Sequence, residues 1–419
     1  MIEEMVSPER AREIVLSHVA HMPTETVPLL EATGRVSAKE LTADIASAPF
    51  AHAAMDGFAL CADWLSSASE QTPVRLKVVA DVPAGSVYDG PLTSDECVRI
   101  MTGAPLPDAA DSVVKYEVVK VEQGDGKTGS VVAFTTPTET RSNVREAGEE
   151  CHAGDVIVRP GELIKTAGVG FLATCGILEV DTYARPHVAI LATGSELVDP
   201  DTVPTPGKIR NSNSYALAAL VQETGGIAHI LPIVEDTMDA LAAAVRDATA
   251  NADFVITTGG AANGDYDFIK QVISELGDLY LTTVNMRPGK AQAFGLVNGV
   301  PVFGLPGNPS AAYVGFHMLI RPALRKMQGF SHFEHSQVKA ALTTGQKKKD
   351  PRRIYLRATL VKDANGGYLV EPAKNQSSGL FGPIQRSNCL AILPEGTGDH
   401  SAGELLDCLL LDIPEELVL

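Results

Sequence analysis

The chain has 419 residues, 45% of them hydrophobic and 21% charged, with a formal net charge of −18. That is ordinary globular composition, long enough for about two to four domains with separate cores, so a disordered chain is excluded as a starting point. So acidic a surface repels phosphate backbones and anionic lipid, which argues against nucleic-acid or membrane-surface binding. An anionic small ligand would need a local basic patch.

In chain order, residues 6–34 read as helical. Ser7-Pro8-Glu9 supplies a cap and a first-turn proline, Ala11, Ile14, Val15 and Val19 form an apolar face ending near Pro23, and a second short helical stretch precedes Gly34. From Pro49 to about Glu150 short β runs (residues 74–79, 97–100, 112–114 and 131–134) alternate with Pro and Gly clusters, giving a small all-β module. From Arg185 to about Met327 strands at 188–192, 230–234 and 254–258 alternate with helices at 215–223 and 238–248. This is the pattern of right-handed βαβ units and of a parallel sheet covered on both faces. After Gly329 the β pattern returns at 353–357, 367–370 and 390–393.

Cys61, Cys97, Cys151, Cys175, Cys389 and Cys408 form no CxxC pair, which points to reduced core residues rather than a zinc site or a disulfide framework. Residues 1–5 show no basic segment leading into an apolar run, and no stretch of about 18 uninterrupted apolar residues occurs. The expected location is cytoplasmic.

Ligands of a parallel sheet sit beyond the carboxyl ends of its strands. There this chain carries Thr193-Gly194-Ser195-Glu196, where glycine lets the backbone approach an anion and Glu196 is either a ligand or a solvated turn residue. Asn211-Ser212-Asn213-Ser214 offers more caps than one helix needs. Gly259-Gly260 leads through Gly264-Asp265-Tyr266-Asp267 into a helix, a bend able to cradle phosphate; Asp265 and Asp267 fit either helix capping or Mg²⁺. Arg287-Pro288-Gly289-Lys290 sets a planar fork and a point charge on one turn, and Pro306-Gly307-Asn308-Pro309 is a stiff loop suited to holding an anion without reorganising. In the β module, Asp56-Gly57 and Thr102-Gly103 lie in loops, where an Asx turn is the alternative to a functional role.

Together with Ala54-Met55-Asp56-Gly57-Phe58-Ala59, Met101-Thr102-Gly103-Ala104-Pro105-Leu106-Pro107 and Asn143-Val144-Arg145-Glu146-Ala147-Gly148-Glu149-Glu150, these loops in this order resemble the molybdopterin molybdenumtransferase family, which includes the E domain of gephyrin. The resemblance spans essentially the whole chain and implies a multidomain α/β plus all-β protein. Its parts are an elongated dimerisation domain from residues 1–48 and 148–184, a β module (49–147), a central α/β molybdopterin-binding domain (185–329) and a C-terminal β-barrel-like domain (330–419). It further implies a homodimer in which the β module of one subunit faces the parallel-sheet domain of the other. The implied reaction inserts molybdate into adenylylated molybdopterin, with Mg²⁺ and release of AMP. The implied partners are a molybdopterin adenylyltransferase and molybdoenzyme-maturation proteins.

By motif match the resemblance makes Asp56, Thr102, Glu196 and Asp267 catalytic. It places Asp265, Asp267, Glu196 and Asp236 at the metal. Cofactor binding falls to Thr193, Gly194, Ser195, Asn213, Gly259, Gly260, Gly264, Arg287, Lys290, Pro306, Asn308, Pro309, Arg353 and Ser378, and the motif match also carries over Glu150. The chain departs from the family pattern at Ala51-His52-Ala53, Ala262-Asn263 and Ala291, and at Gly382-Pro383, where the family has serine. The alternative reading that these departures motivate is a molybdopterin-nucleotide binding or scaffold protein without turnover.

Overall fold

Ser7 accepts the amide of Arg10 at 3.1 Å and Pro8 occupies the first turn, so the first helix, Pro8–Ser17, begins where the cap pattern puts it. This computed structural model describes residues 2–259 and 268–411. Ala11, Ile14, Val15 and Val19 are buried as their spacing requires, but the surface they pack on belongs to the central α/β unit, against Leu281, Phe294, Leu319 and Leu324. The helical reading does not extend to residue 34. Thr24–Pro28 is a strand paired antiparallel with Glu179–Tyr183, and only Leu29–Ala32 forms a helical turn, of the 3₁₀ kind. Val27 is the one buried residue of that strand, so no alternation marks it.

A second pairing joins Leu41–Thr42 to Val156–Val158, with the helix Thr166–Thr174 packed alongside. Chain from before and after the β module thus closes on itself, and the module projects from between. Its six-stranded sheet runs in the order Ser112–Lys115, Gly57–Leu60, Glu96–Ile100, Val74–Val82, Val131–Phe134, Lys120–Gln123. Two of these strands leave no period-two signature in the sequence: Gly57–Leu60 is wholly buried and Lys120–Gln123 almost wholly exposed.

The central sheet has the order Ile227–Ile230, His187–Ala192, Phe254–Thr258, Val300–Leu305, Ala291–Val297, Gly277–Thr283. The first four strands and the last run in one direction, but Ala291–Val297 runs against them, so the expected parallel sheet is a mixed one. The strand expected at 230–234 lies earlier, at Ile227–Ile230. Helices Asn213–Glu223 and Pro309–Gly315 cover one face. The helices Met238–Asn251 and Phe268–Leu276 cover the other. The helix that starts at Pro309 is continuous to Met327 through a π-helical turn, Phe316–Ile320.

The C-terminal strands Gln337–Leu342, Arg353–Lys362, Tyr368–Pro372, Cys389–Leu393 and Leu405–Leu410 close into a five-stranded barrel, because Arg353–Lys362 pairs with both Tyr368–Pro372 and Cys389–Leu393. One further strand, Met286–Arg287, leaves the α/β unit to pair with Arg353–Lys362, aligning Arg287 with Ile354. That short ladder positions the site. Among the described residues the six cysteines are free, and no helix is long and apolar enough to cross a membrane.

Candidate active site

Two clefts open beyond the carboxyl ends of the central strands, and they share one wall. The first, a cavity of about 570 Å³, is lined by the Thr193-Gly194 and Thr258-Gly259 strand ends, by Glu196, Asn211, Asn213 and Asp236, and by Asn308 and Pro309. The Thr193 amide donates to the Thr258 carbonyl at 3.0 Å, holding the two strand ends together. Gly259 has φ +94°, and a Cβ there would lie 2.1 Å from the Thr193 carbonyl oxygen, so no larger residue allows this approach.

Asn213 shows how the excess of capping residues is used. Asn211 caps the helix by accepting from the Ser214 amide at 3.3 Å, while Asn213 Nδ2 donates to Thr258 Oγ1 and to the Gly307 carbonyl, both at 2.9 Å. Asn213 thereby ties a strand end to the Pro306–Pro309 turn. Among the described residues its buried Oδ1 has no partner, nor has Thr193 Oγ1. Across the cleft, burial and the nearby Glu196 carboxylate push Asp236 above the usual aspartate range.

The second cleft, about 670 Å³, is lined by Arg287, Lys290, Lys347, Arg352 and Arg357, and by no carboxylate among the described residues. In a chain of net charge −18 this is the local basic patch an anion requires. Asp350 stands behind it. Its carboxylate takes both Arg352 (Nη2 at 2.5 Å) and Arg287 (3.5 Å), and the Arg352 hydrogen bond holds it far below the usual range. Arg357 is only 2% exposed, its Nε has no partner among the described residues, and burial pushes its pKa down to about 10. A buried cation with an unused donor in an open cleft is arranged for an oxyanion. Gly307 and Asn308 line both clefts, so the turn between two prolines is the partition.

The structure therefore gathers Thr193, Gly194, Glu196, Asn213, Asp236, Gly259, Asn308 and Pro309 in one cleft. It gathers Arg287, Lys290, Pro306, Asn308 and Ser378 in the other. Ser195 lines neither; its carbonyl accepts from Lys208. Gly260, Gly264, Asp265 and Asp267 lie outside the described residues. Asp56 and Thr102 hydrogen-bond each other on the exposed β module and line neither cleft of their own chain. Glu150 sits with Ser47 at the junction of the β module, 3.3 Å from its hydroxyl.

Arg353 lines neither cleft. Its guanidinium is closed by Glu395 at 2.8 Å and by Glu9 of the first helix, on the face of the strand that buries Tyr355. Its neighbours Arg352 and Arg357 occupy the cleft instead. Arginine within the apolar run Ile354-Tyr355-Leu356-Arg357-Ala358 was a legible signal, since a charge buried in a strand needs a partner or a task. Lys347, in a run of three lysines, was another.

A mixed α/β unit with polar strand-end loops, carrying an inserted β module and a closed β-barrel, defines the molybdopterin-binding class of multidomain proteins. In agreement, residues 6–176 match the MoeA N-terminal region (domain I and II), residues 189–326 the probable molybdopterin binding domain, and residues 339–411 the MoeA C-terminal region (domain IV). A molybdopterin molybdenumtransferase of Staphylococcus aureus is 33% identical over the whole of both chains, and one of Bacillus subtilis is 35% identical over 93% of this chain and 90% of that one. The crystal structure of a molybdopterin biosynthesis MoeA protein from Pyrococcus horikoshii superposes with TM-score 0.82 at 30% identity, covering 97% of this chain and 99% of that one. The chain belongs to the molybdopterin molybdenumtransferase (MoeA) family.

Proposed function

We propose that this protein is a molybdopterin molybdenumtransferase that inserts molybdate into adenylylated molybdopterin and releases AMP. The observation that carries this reading is the pair of clefts sharing the Pro306–Pro309 partition, one cationic and one polar with two facing carboxylates. Molybdate, a tetrahedral dianion, is matched by Arg287, Lys290, Arg352 and Arg357, and fixed charges reorganise little as the anion is consumed. The nucleotide half belongs in the polar cleft, where the Thr193-Gly194 and Gly259 backbone allows close approach of phosphate.

Glu196 and Asp236 fit a divalent cation. Burial, and after it the Glu196 carboxylate, raise the Asp236 pKa, so a cation between the two carboxylates would offset that cost, and Mg²⁺ is held by one or two carboxylates plus waters and phosphate oxygens. Mg²⁺ bound there would neutralise phosphate charge. The chain's own groups do the rest: Asn213 and the partition hold the clefts in register, and the arginines orient molybdate towards the substrate's dithiolene sulfurs, which supply the nucleophiles. Asp56 and Thr102 act from the partner subunit of a homodimer, with the β module of each chain facing the clefts of the other. We place the reaction in the cytoplasm, between an adenylyltransferase that supplies the substrate and the maturation proteins that accept the product.

The test is release of AMP from molybdopterin-AMP on addition of molybdate and Mg²⁺ to purified protein. Release no faster than in a protein-free control, with binding retained, would replace this reading by that of a nucleotide carrier.

A further inference from the structure

The loop between the barrel strands Tyr368–Pro372 and Cys389–Leu393 touches both clefts. Gln376, Ser377 and Ser378 line the cationic one, whereas Gly379 and Phe381 line the polar one. The loop is bolted to the α/β unit by Ser310, which is fully buried. The Ser310 amide donates to the Ser378 carbonyl at 2.8 Å and its hydroxyl to the Leu380 carbonyl at 3.1 Å. Those two bonds fix the backbone on the N-terminal side of Phe381.

Phe381 is the single aromatic residue lining either cleft among the described residues. It is half-buried, yet it joins none of the hydrophobic clusters that make up the cores, and it stacks on no other ring among the described residues. A phenylalanine held rigidly at a polar cleft and claimed by no core has an apolar face left for a ligand. Leu197, Ile209 and Pro309 supply further apolar lining in the same cleft.

We propose that Phe381 is a specificity-determining residue, the platform on which a planar heteroaromatic ring of the substrate stacks. The inference rests on the nucleotide reading of the polar cleft given above. The ring has two sources in adenylylated molybdopterin, the purine base and the pterin, and both offer the π-face that stacking needs.

The experiment measures binding of AMP, 6-hydroxymethylpterin and ribose 5-phosphate to the full chain and to its F381A and F381W variants by calorimetry. F381A is expected to weaken one ring ligand about tenfold, as loss of one stacking partner does, and to leave ribose 5-phosphate unchanged. Loss confined to AMP assigns the purine, and loss confined to the pterin assigns the pterin. F381W restores affinity, and its emission is quenched by the ring ligand; the one natural tryptophan, Trp64, lies in the β module. If F381A binds both ring ligands as the parent does, or loses ribose 5-phosphate in parallel, stacking is overturned while the function stands. If the parent chain binds neither ring ligand, the nucleotide reading falls and this inference with it.

Discussion

Thr102 gives two hydrogen bonds to one oxygen of Asp56, from its amide at 2.8 Å and its hydroxyl at 2.7 Å, bridging two loops of the β module. The backbone bond, then the hydroxyl, lowers the pKa of Asp56, so this exposed carboxylate stays ionised and aimed. Both residues were selected from the sequence, and only the structure shows that they touch.

The first prediction follows from that contact. Thr102→Val keeps the amide bond and removes the hydroxyl, so the Asp56 pKa rises towards its ordinary value. A depressed carboxylate favours the ionised form above its pKa, and that preference is lost as pH falls through it. The acid limb of the activity profile should therefore move to higher pH in Thr102→Val, with a loss of about tenfold in kcat/KM for one bond to a charged group. An unmoved acid limb would show that Asp56 is not the titrating group.

Asp236 gives the opposite sign. Burial and Glu196 raise its folded-state pKa, so the folded state binds the proton more tightly than the unfolded chain does. Without divalent cations, stability should fall as pH rises from the ordinary aspartate range through the raised pKa. Mg²⁺ should restore it, by about 1.4 kcal/mol at ten times its Kd. Asp236→Asn should flatten the pH dependence and abolish the Mg²⁺ effect; thermal melts with and without Mg²⁺ across that range decide the matter.

Arg357 and Arg353 share a strand and should separate cleanly by function. Arg357→Gln is expected to weaken molybdate binding by about 10- to 100-fold, the loss of a hydrogen bond to a charged partner. Arg353→Gln should leave molybdate affinity unchanged and cost about 1 kcal/mol of stability, since its partners Glu9 and Glu395 are partly exposed. Calorimetry with molybdate, paired with urea unfolding, measures both. Equal molybdate affinity in Arg357→Gln would remove that residue from the site.

The dimer is tested by complementation. If Asp56 serves the clefts of the partner subunit, a mixed dimer of Asp56→Asn and Arg357→Gln chains contains one site free of both changes. Each parent variant should be nearly inactive. An equal mixture, re-formed after dissociation, should recover about one quarter of normal activity, because half the dimers are mixed and each has one intact site of two. No recovery would place Asp56 outside the shared site.

Much of this architecture was legible before any coordinates, because its causes are local. Ser7 and Pro8 start a helix by capping and ring geometry, strand and helix periods alternate through the central unit, and the loops holding Gly194, Gly259, Gly289 and Gly307 fall at strand ends and turns. The strand Thr24–Pro28 was not legible, since its partner Glu179–Tyr183 is distant in sequence and only Val27 of its own residues is buried.

For the site, the sequence by itself determined the chemistry available: a few cations in an acidic chain, carboxylates beside glycine turns, and a stiff loop between Pro306 and Pro309. Only the tertiary structure decided which arginine lines the cleft. Arg353 and Arg357 project from the same side of one strand, roughly 13 Å apart at about 3.3 Å per residue. Arg353, aligned with Met286, is held by Glu9 and Glu395, whereas Arg357 lines the cleft together with Arg287. Side-chain period tells which residues share a face, but what that face meets depends on how the barrel docks against the sheet, which no local pattern encodes.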